Sequence, residues 1–249
     1  VWQAEATEKK AIQRFERPVP NDLWQIDLIE LEPTSIGLVY GVPILDDYSR
    51  YLTALRFFLT KGAETTLLTT YLAIQACGTP REMLCDRGGQ FVDPSGQGRT
   101  KFQDVLDALG IKLRIAYRAQ TKGKEERLNQ FVERDFLDEV RWQVRTLDEL
   151  NQLADAWRVT YNQFHMHEET HTTPVRRYRP GLKVDDAFLR QLFATEERRK
   201  VSREATVRYR NRHFKVPDKY IGYSVWVANF LDQYIEIRSG TRTIGRFEL

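Results

Sequence analysis

Apolar and polar positions change period several times along the 249-residue chain, and the changes divide it. Residues 2–13 are polar and helix-compatible, and Pro18 and Pro20 end any helix there. Residues 23–31 (Leu-Trp-Gln-Ile-Asp-Leu-Ile-Glu-Leu) read as a strand closed by Pro33. Residues 39–45 and 51–58 read as two more strands, joined by a turn at Asp46-Asp47-Tyr48-Ser49-Arg50. Leucines and alanines recur at helical spacing over residues 63–76 and stop at Gly78-Thr79-Pro80. A short apolar strand follows at Glu82–Cys85, then a Pro/Gly loop at residues 93–99, a helix over 102–109 ending at Gly110, and a fifth strand over 111–115. The polar loop 117–123 leads into a helix reaching about Val140, and residues 147–162 form another, with Leu150, Leu153, Ala154, Trp157 and Tyr161 as its apolar stripe.

Three strands in a meander, then helix, strand, helix, strand, helix, predict an α/β fold: a five-stranded mixed sheet flanked by helices. The first strand should lie centrally, with the later helix-linked strands parallel to it. After a connecting helix over residues 183–193 the pattern shortens to alternating strands at 206–209, 213–216, 224–228, 234–238 and 243–247, which read as a small all-β barrel. The expected organisation is an N-terminal linker (1–20), an α/β core (21–180), a linker helix (181–203) and a small basic β-barrel (204–249). The first residue is Val, which suggests a missing upstream segment.

The net charge of +3 is too small to point to nucleic acid, but its distribution is informative. From Arg198 onward twelve Lys/Arg stand against five acids, so that segment carries +7 and the remainder −4. A basic module on a mildly acidic body suits phosphate tracking beside a metal-dependent site, and equally a soluble domain that has a basic face by chance. No apolar run is long enough to span a bilayer, and no signal-peptide pattern is present. Cys77 and Cys85 sit in apolar segments, as buried thiols of a reducing compartment would.

Three acids stand out by position. Asp27 has apolar neighbours in its strand, where a carboxylate is costly unless paired, hydrogen-bonded or metal-bound. Asp86 follows the tip of an apolar strand and precedes Arg87-Gly88-Gly89, a typical site position in an α/β sheet. Glu126 falls with Glu125 in the first turn of a helix that Thr121 could cap; by itself this reads as a solvated helix start. Asp46 and Asp47 look like a dyad, but turn aspartates more often cap backbone groups. His165, His167 and His171 cluster without a Cys or acid at zinc-finger spacing, which gives little ground for a zinc site.

The segments Trp24-Gln25-Ile26-Asp27, Leu45-Asp46-Asp47-Tyr48-Ser49-Arg50, Cys85-Asp86-Arg87-Gly88-Gly89-Gln90-Phe91 and Thr121-Lys122-Gly123-Lys124-Glu125-Glu126-Arg127-Leu128-Asn129 occur in that order, followed by Tyr161-Asn162 and Thr173-Pro174. Together they resemble the catalytic core of the retroviral-integrase superfamily, in particular bacterial insertion-sequence transposases with an Asp-Asp-Glu triad. The resemblance runs from about Pro20 to Pro180, and more weakly through the C-terminal barrel. It implies a ribonuclease-H-like core with Asp27, Asp86 and Glu126 as catalytic, metal-binding carboxylates. Two Mg²⁺ ions, or Mn²⁺ in their place, would clamp the attacking and leaving oxygens. The implied activity is hydrolysis at transposon ends and transfer of the freed 3′-hydroxyl into target DNA.

Implied partners are double-stranded DNA, both ends and target, and further copies of the chain, as a dimer or higher oligomer on DNA. No membrane partner is implied, and the location would be the bacterial cytoplasm, at the nucleoid. Lys122, Lys124 and Arg127 would hold phosphates near the triad, and Arg208, Arg210, Arg212 and Lys215 of the barrel would track the backbone, with most barrel aromatics in its core. There are departures from the family pattern. Thirty-nine residues separate Asp86 from Glu126, a few more than the commonest spacing, and His165-Met166-His167 stands where relatives often carry Arg-Pro-His. The usual N-terminal helix-turn-helix is absent. Two alternatives share these residues: a catalytically silent DNA-binding regulator, and a ribonuclease-H-like nuclease that only hydrolyses.

Overall fold

A computed structural model describes residues 16–116 and 123–249, without the side chains of residues 32–33 and 123–126. Its main sheet is built from β1 (Leu23–Ile26), β2 (Ile29–Thr34), β3 (Gly37–Asp46), β4 (Leu52–Phe58), β5 (Glu82–Cys85) and β6 (Lys112–Ile115). The alternation predicts one strand over residues 23–31; it is two. β1 and β2 lie end to end along β3, with Ile26 opposite Ile44 and Ile29 opposite Gly41. The break falls at Asp27-Leu28, where the Asp27 N–H still reaches the Pro43 carbonyl at 3.4 Å. Six strands therefore fill five positions, in the order β4, β3, β1/β2, β5, β6. β1 is central, and β5 and β6 run parallel to it in turn, as expected.

All four residues of β1 are buried, because helices cover both faces. On one face α1 (Ala63–Cys77) and α2 (Lys101–Ala108) pack Leu67, Tyr71, Ile74 and Phe102 onto Trp24, Ile26, Val42, Ile44 and Met83. On the other, α3 (Gly123–Phe131) and α5 (Leu147–Phe164) pack Leu128, Leu150, Ala154 and Tyr161 onto Leu45, Leu52, Leu55 and Phe57. Neighbours such as Ile44 and Leu45 enter opposite cores because side chains alternate along a strand. A six-residue π-helical segment (Val132–Leu137) and α4 (Asp138–Val140) continue α3 and bury Val132, Phe136 and Leu137 in the second core.

The stripe of α5 differs from expectation. Leu153 is exposed, while Asn151 and Asn162 are buried. Each asparagine lies against β4, the outer strand of the sheet. Asn151 accepts from the Phe57 N–H (2.8 Å) and donates to its carbonyl (3.0 Å). Asn162 does the same at Leu52, at 2.8 and 3.0 Å. Two carboxamides thus take the hydrogen-bonding role of a further strand, satisfying the edge while α5 covers it.

Beyond α6 (Pro174–Arg177) the chain returns to the end of α1, where the Gly181 N–H donates to the Cys77 carbonyl (2.7 Å) and the Thr79 N–H to the Leu182 carbonyl (3.0 Å). A Cβ on Gly78, at φ 82°, would stand 2.5 Å from the Gly181 carbonyl group, so this crossing needs glycine. The expected connecting helix is α7 (Asp186–Phe193), capped by Asp185. A strand not anticipated, β7 (Thr195–Lys200), follows at once and pairs antiparallel with β10 (Ser224–Phe230).

β7 heads a four-stranded sheet with β10, β11 (Tyr234–Ser239) and β12 (Arg242–Glu248), while β8 (Thr206–Tyr209) and β9 (Arg212–Lys215) form a separate hairpin. The expected barrel is thus two sheets sharing one core of Val201, Val207, Phe214, Val225, Val227, Ile235 and Ile237. Tyr209 and Phe214 are core, whereas Tyr223 and Trp226 are exposed. Among the described residues no helix is long and apolar enough to cross a membrane.

Candidate active site

The site begins with register. Leu23 lies opposite Glu82 and Gln25 opposite Leu84 in the parallel β1–β5 pair. Asp27 and Asp86 directly follow Ile26 and Cys85, the last residues of these strands, so both acids leave from the same C-terminal end of neighbouring strands, whose spacing is about 5 Å. At the other end of these strands the acids are tied to arginines. Asp22 is paired with Arg17 and Arg81, and Glu82 with Arg17 and Arg114, which hold the Glu82 carboxyl below its ordinary range.

Asp27 is half-buried in the break between β1 and β2, so it ends a strand and does not sit mid-strand. Its Oδ1 accepts from the Leu28 N–H at 3.0 Å, and its Oδ2 from Asn129 Nδ2 at 3.1 Å. Asp86, also half-buried, accepts from the Gly88 N–H at 2.8 Å, a local turn that points the chain away from the strand end. Asn129 carries no chemistry in the sequence pattern, yet it joins the helix to the first strand. A signal was available: it stands three residues after Glu126, one turn along the same helical face. The backbone of α3 therefore brings position 126 to the strand ends; the Glu126 side chain lies outside the described residues.

The donor chemistry fits a hard divalent cation. Both described acids are carboxylates, and Asn129 Oδ1 is a buried oxygen with no hydrogen-bond partner among the described residues. Oxygen-only sets suit Mg²⁺ or Mn²⁺ better than zinc. Among the described residues no group of three His, Cys, Asp or Glu could hold a metal.

The Asp46/Asp47 pair is structural. Asp46 accepts from the backbone of Asn21 (2.7 Å) and Ser49 (2.8 Å) and from the Ser49 hydroxyl (2.5 Å). Asp47 accepts from the Arg17 N–H (2.8 Å) and Gln25 Nε2 (2.5 Å). Burial pushes the Asp46 carboxyl up even against these hydrogen bonds. Cys77 and Cys85 are buried free thiols.

His165 and His167 pack edge-to-face at 4.6 Å, and His167 Nε2 lies 2.9 Å from the Tyr161 hydroxyl. Burial first, then the charges of His165 and Arg50, push His167 down to about 4. In the unfolded chain this imidazole protonates near 6.5, so the fold loses stability as pH falls from that value towards 4, where the folded form also binds the proton. We expect the urea-unfolding midpoint to decline over that window and the decline to flatten in His167→Phe. An unchanged slope in the variant would rule His167 out as its source.

Of the expected phosphate ligands, Lys122 lies outside the described residues, as does the side chain of Lys124. Arg127 pairs with Glu169 Oε1 at 2.5 Å. Arg208 is exposed on β8, and Arg212 lies over the Phe214 ring at 5.2 Å. Lys215 Nζ donates to the Glu204 carbonyl at 2.9 Å. Arg210 bridges Glu64 of α1 and Asp232, both at 2.7 Å, and so ties the C-terminal module to the core.

Residues 17–120 match the integrase core domain family, a stretch that includes Asp27 and Asp86 and stops short of Glu126. The chain is 32% identical over 126 residues to the Gag-Pol polyprotein of gibbon ape leukemia virus, covering 48% of this chain and 7% of that protein. It is 31% identical over 118 residues to the Pol polyprotein of radiation murine leukemia virus (strain Kaplan), covering 45% and 19%. The chain thus spans less than a fifth of the length of these relatives.

Among solved structures it is similar to the HTLV-2 integrase catalytic core domain in complex with magnesium, trimeric form. The TM-score is 0.51 and the identity 19%, over 65% of this chain and 99% of that one. It is also similar to a chain of the simian T-cell lymphotropic virus intasome solved with the PP2A regulatory subunit B56 gamma. There the TM-score is 0.54 and the identity 13%, over 94% and 78%. At these identities the structural likeness shows the fold.

Proposed function

We propose that the chain is the catalytic part of an integrase-type polynucleotidyl transferase, which cuts a phosphodiester at DNA ends and joins the freed 3′-hydroxyl to a target strand. The observation that carries this reading is that Asp27 and Asp86 directly follow the C-terminal ends of the adjacent parallel strands β1 and β5, with Asn129 tying in the helix of Glu126. The finer reading is a bacterial insertion-sequence transposase acting at the nucleoid, supported by the order of motifs from Trp24 to Pro174.

Asp27, Asp86 and Glu126 would hold Mg²⁺, which when bound neutralises phosphate charge and eases deprotonation of the attacking oxygen; two ions per site suit an in-line displacement. The protein's own part is pre-organisation. The Leu28 N–H and Asn129 hold both oxygens of Asp27, and the Gly88 N–H holds Asp86, so little side-chain freedom is left to lose when DNA arrives. Lys122, Lys124 and Arg127 would grip phosphates beside the carboxylates.

In this reading residues 21–180 are catalytic and the C-terminal module tracks the DNA backbone through Arg208, Arg210, Arg212 and Lys215. Arg210 would exchange Glu64 and Asp232 for phosphate, at small cost because these pairs are exposed. Joining two ends calls for more than one copy; HTLV-2 integrase cores solved in dimeric and trimeric forms support an oligomer.

The test incubates the full chain with pre-cut end DNA, a plasmid target and Mg²⁺ or Mn²⁺. Joined product is expected. Cleavage alone would mark a nuclease, and binding without chemistry a regulator.

A further inference from the structure

The turn between β3 and β4 contains a fixed cation. Arg50 sits at φ 62° with its side chain 6% exposed. Its guanidinium donates to the Asp47 carbonyl, to Glu16 Oε2 at 3.1 Å and to Glu169 Oε2 at 3.3 Å. Asp46 fastens the same turn through Ser49. Glu169 reaches it from the turn after α5, which closes through the His167 N–H to the Thr172 carbonyl (3.2 Å) and the His171 N–H to the His167 carbonyl (2.8 Å). The other oxygen of Glu169 takes Arg127 of α3. Burial opposes the charge on Glu169, but the hydrogen bonds from the two arginines outweigh it and hold the carboxyl down at about 2.

Arg127 and Asn129 are two residues apart, so they leave α3 on nearly opposite sides, about 200° around the axis, with buried Leu128 between them. One side is held by Asp27, the other by Glu169. On the Glu169 side α3 packs at its end, where the Phe131 ring lies 4.5 Å from His165 and 5.7 Å from Tyr161. A cavity of about 330 Å³ lies there, lined among others by Arg50, Arg127, Phe131, Tyr161, His165 and Glu169. Beside this open cleft, one turn before Phe131, the helix is held by the Arg127–Glu169 ion pair.

We infer that Glu169 is a positioning residue: it clamps the first turns of α3 to the fixed Arg50 and so sets where residue 126 stands relative to Asp27 and Asp86. The inference rests on the proposed catalytic reading of those carboxylates. Arg127 is largely exposed, and a pair of this kind adds little to global stability, so its effect is on the placement of one helix. A displacement of about 1 Å at such a site can cost on the order of 10²-fold in rate.

The test compares the full chain with Glu169→Gln, Arg127→Gln and the double variant by amide hydrogen exchange, DNA affinity and the kinetics of end cleavage. Glu169→Gln is expected to speed exchange in residues 123–131 about tenfold while β1 and β5 keep their protection. It should lower kcat about tenfold and move KM for DNA less than about twofold, and the double variant should lose no more kcat than either single change. Unchanged exchange in α3 overturns the inference, and so do additive losses in kcat. Tighter DNA binding with unchanged kcat also overturns it, because that marks a contact that merely withholds Arg127 from phosphate. If the unmodified chain shows no cleavage, the catalytic reading fails, while hydrogen exchange still decides whether Glu169 clamps the helix.

Discussion

Asp27→Asn and Asp86→Asn are each expected to lower end cleavage and strand transfer by about 10³-fold or more, equivalent to about 4 kcal/mol of barrier. DNA affinity should change by less than about threefold, because phosphate contacts from basic side chains supply most of it. The swap preserves shape. An asparagine at 27 can still accept from the Leu28 N–H with its one oxygen, and its amide can donate to Asn129 Oδ1, unpartnered among the described residues, once that carboxamide turns over; one at 86 can still accept from the Gly88 N–H. What it removes is the negative charge a hard dication requires. The fold should therefore survive, and circular dichroism with a gel-shift titration will separate lost chemistry from lost structure. Glu126→Gln belongs to the same series. Near-normal strand transfer by any one variant removes that residue from the site.

The largest structural effect is expected at the two asparagines of α5. Asn162→Ala leaves the buried Leu52 N–H without its side-chain partner and its carbonyl with only the long contact from Arg158 (3.5 Å), and Asn151→Ala strips both backbone groups of Phe57 of theirs. Each change should cost roughly 2–4 kcal/mol, because two backbone groups lose their bonds where water enters poorly. Denaturant unfolding of the single and double variants measures this. The sites lie at opposite ends of β4, so their effects should add. A loss below about 0.5 kcal/mol for either would mean that water replaces the carboxamide. Asn162 belongs to the Tyr161-Asn162 pair of the family pattern, and its contacts give that pair a structural reason.

Much of the architecture was legible from local pattern. The strands carry β-branched, aromatic and leucine residues between turn formers, and the helices begin at caps such as Thr100, Thr146 and Asp185. Asp46 and Asp47 behave as turn aspartates do. The misjudged elements have identifiable causes. β1 and β2 read as one strand because Asp27-Leu28 interrupts pairing without interrupting the alternation. β7 reads as linker because its sequence, Thr-Glu-Glu-Arg-Arg-Lys, is charged, and its strand conformation is imposed by β10. Leu153 fits a helical stripe but faces solvent, while Asn151 and Asn162 are buried because an edge strand needs polar partners.

By itself the sequence determined the element order apart from the β1–β2 break and β7, the basic C-terminal segment, and three carboxylates whose surroundings resemble one superfamily. It did so because periodicity, capping and turn chemistry act within a few residues. Only the tertiary structure decided that Asp27 and Asp86 leave from the same end of neighbouring strands, since that depends on the pairing of two strands far apart in the chain. The same holds for Asn129 on Asp27 and for Glu169 between Arg50 and Arg127. Each of these contacts joins segments whose local patterns carry no information about one another, and the packing of α3 and α5 on a single sheet brings them together.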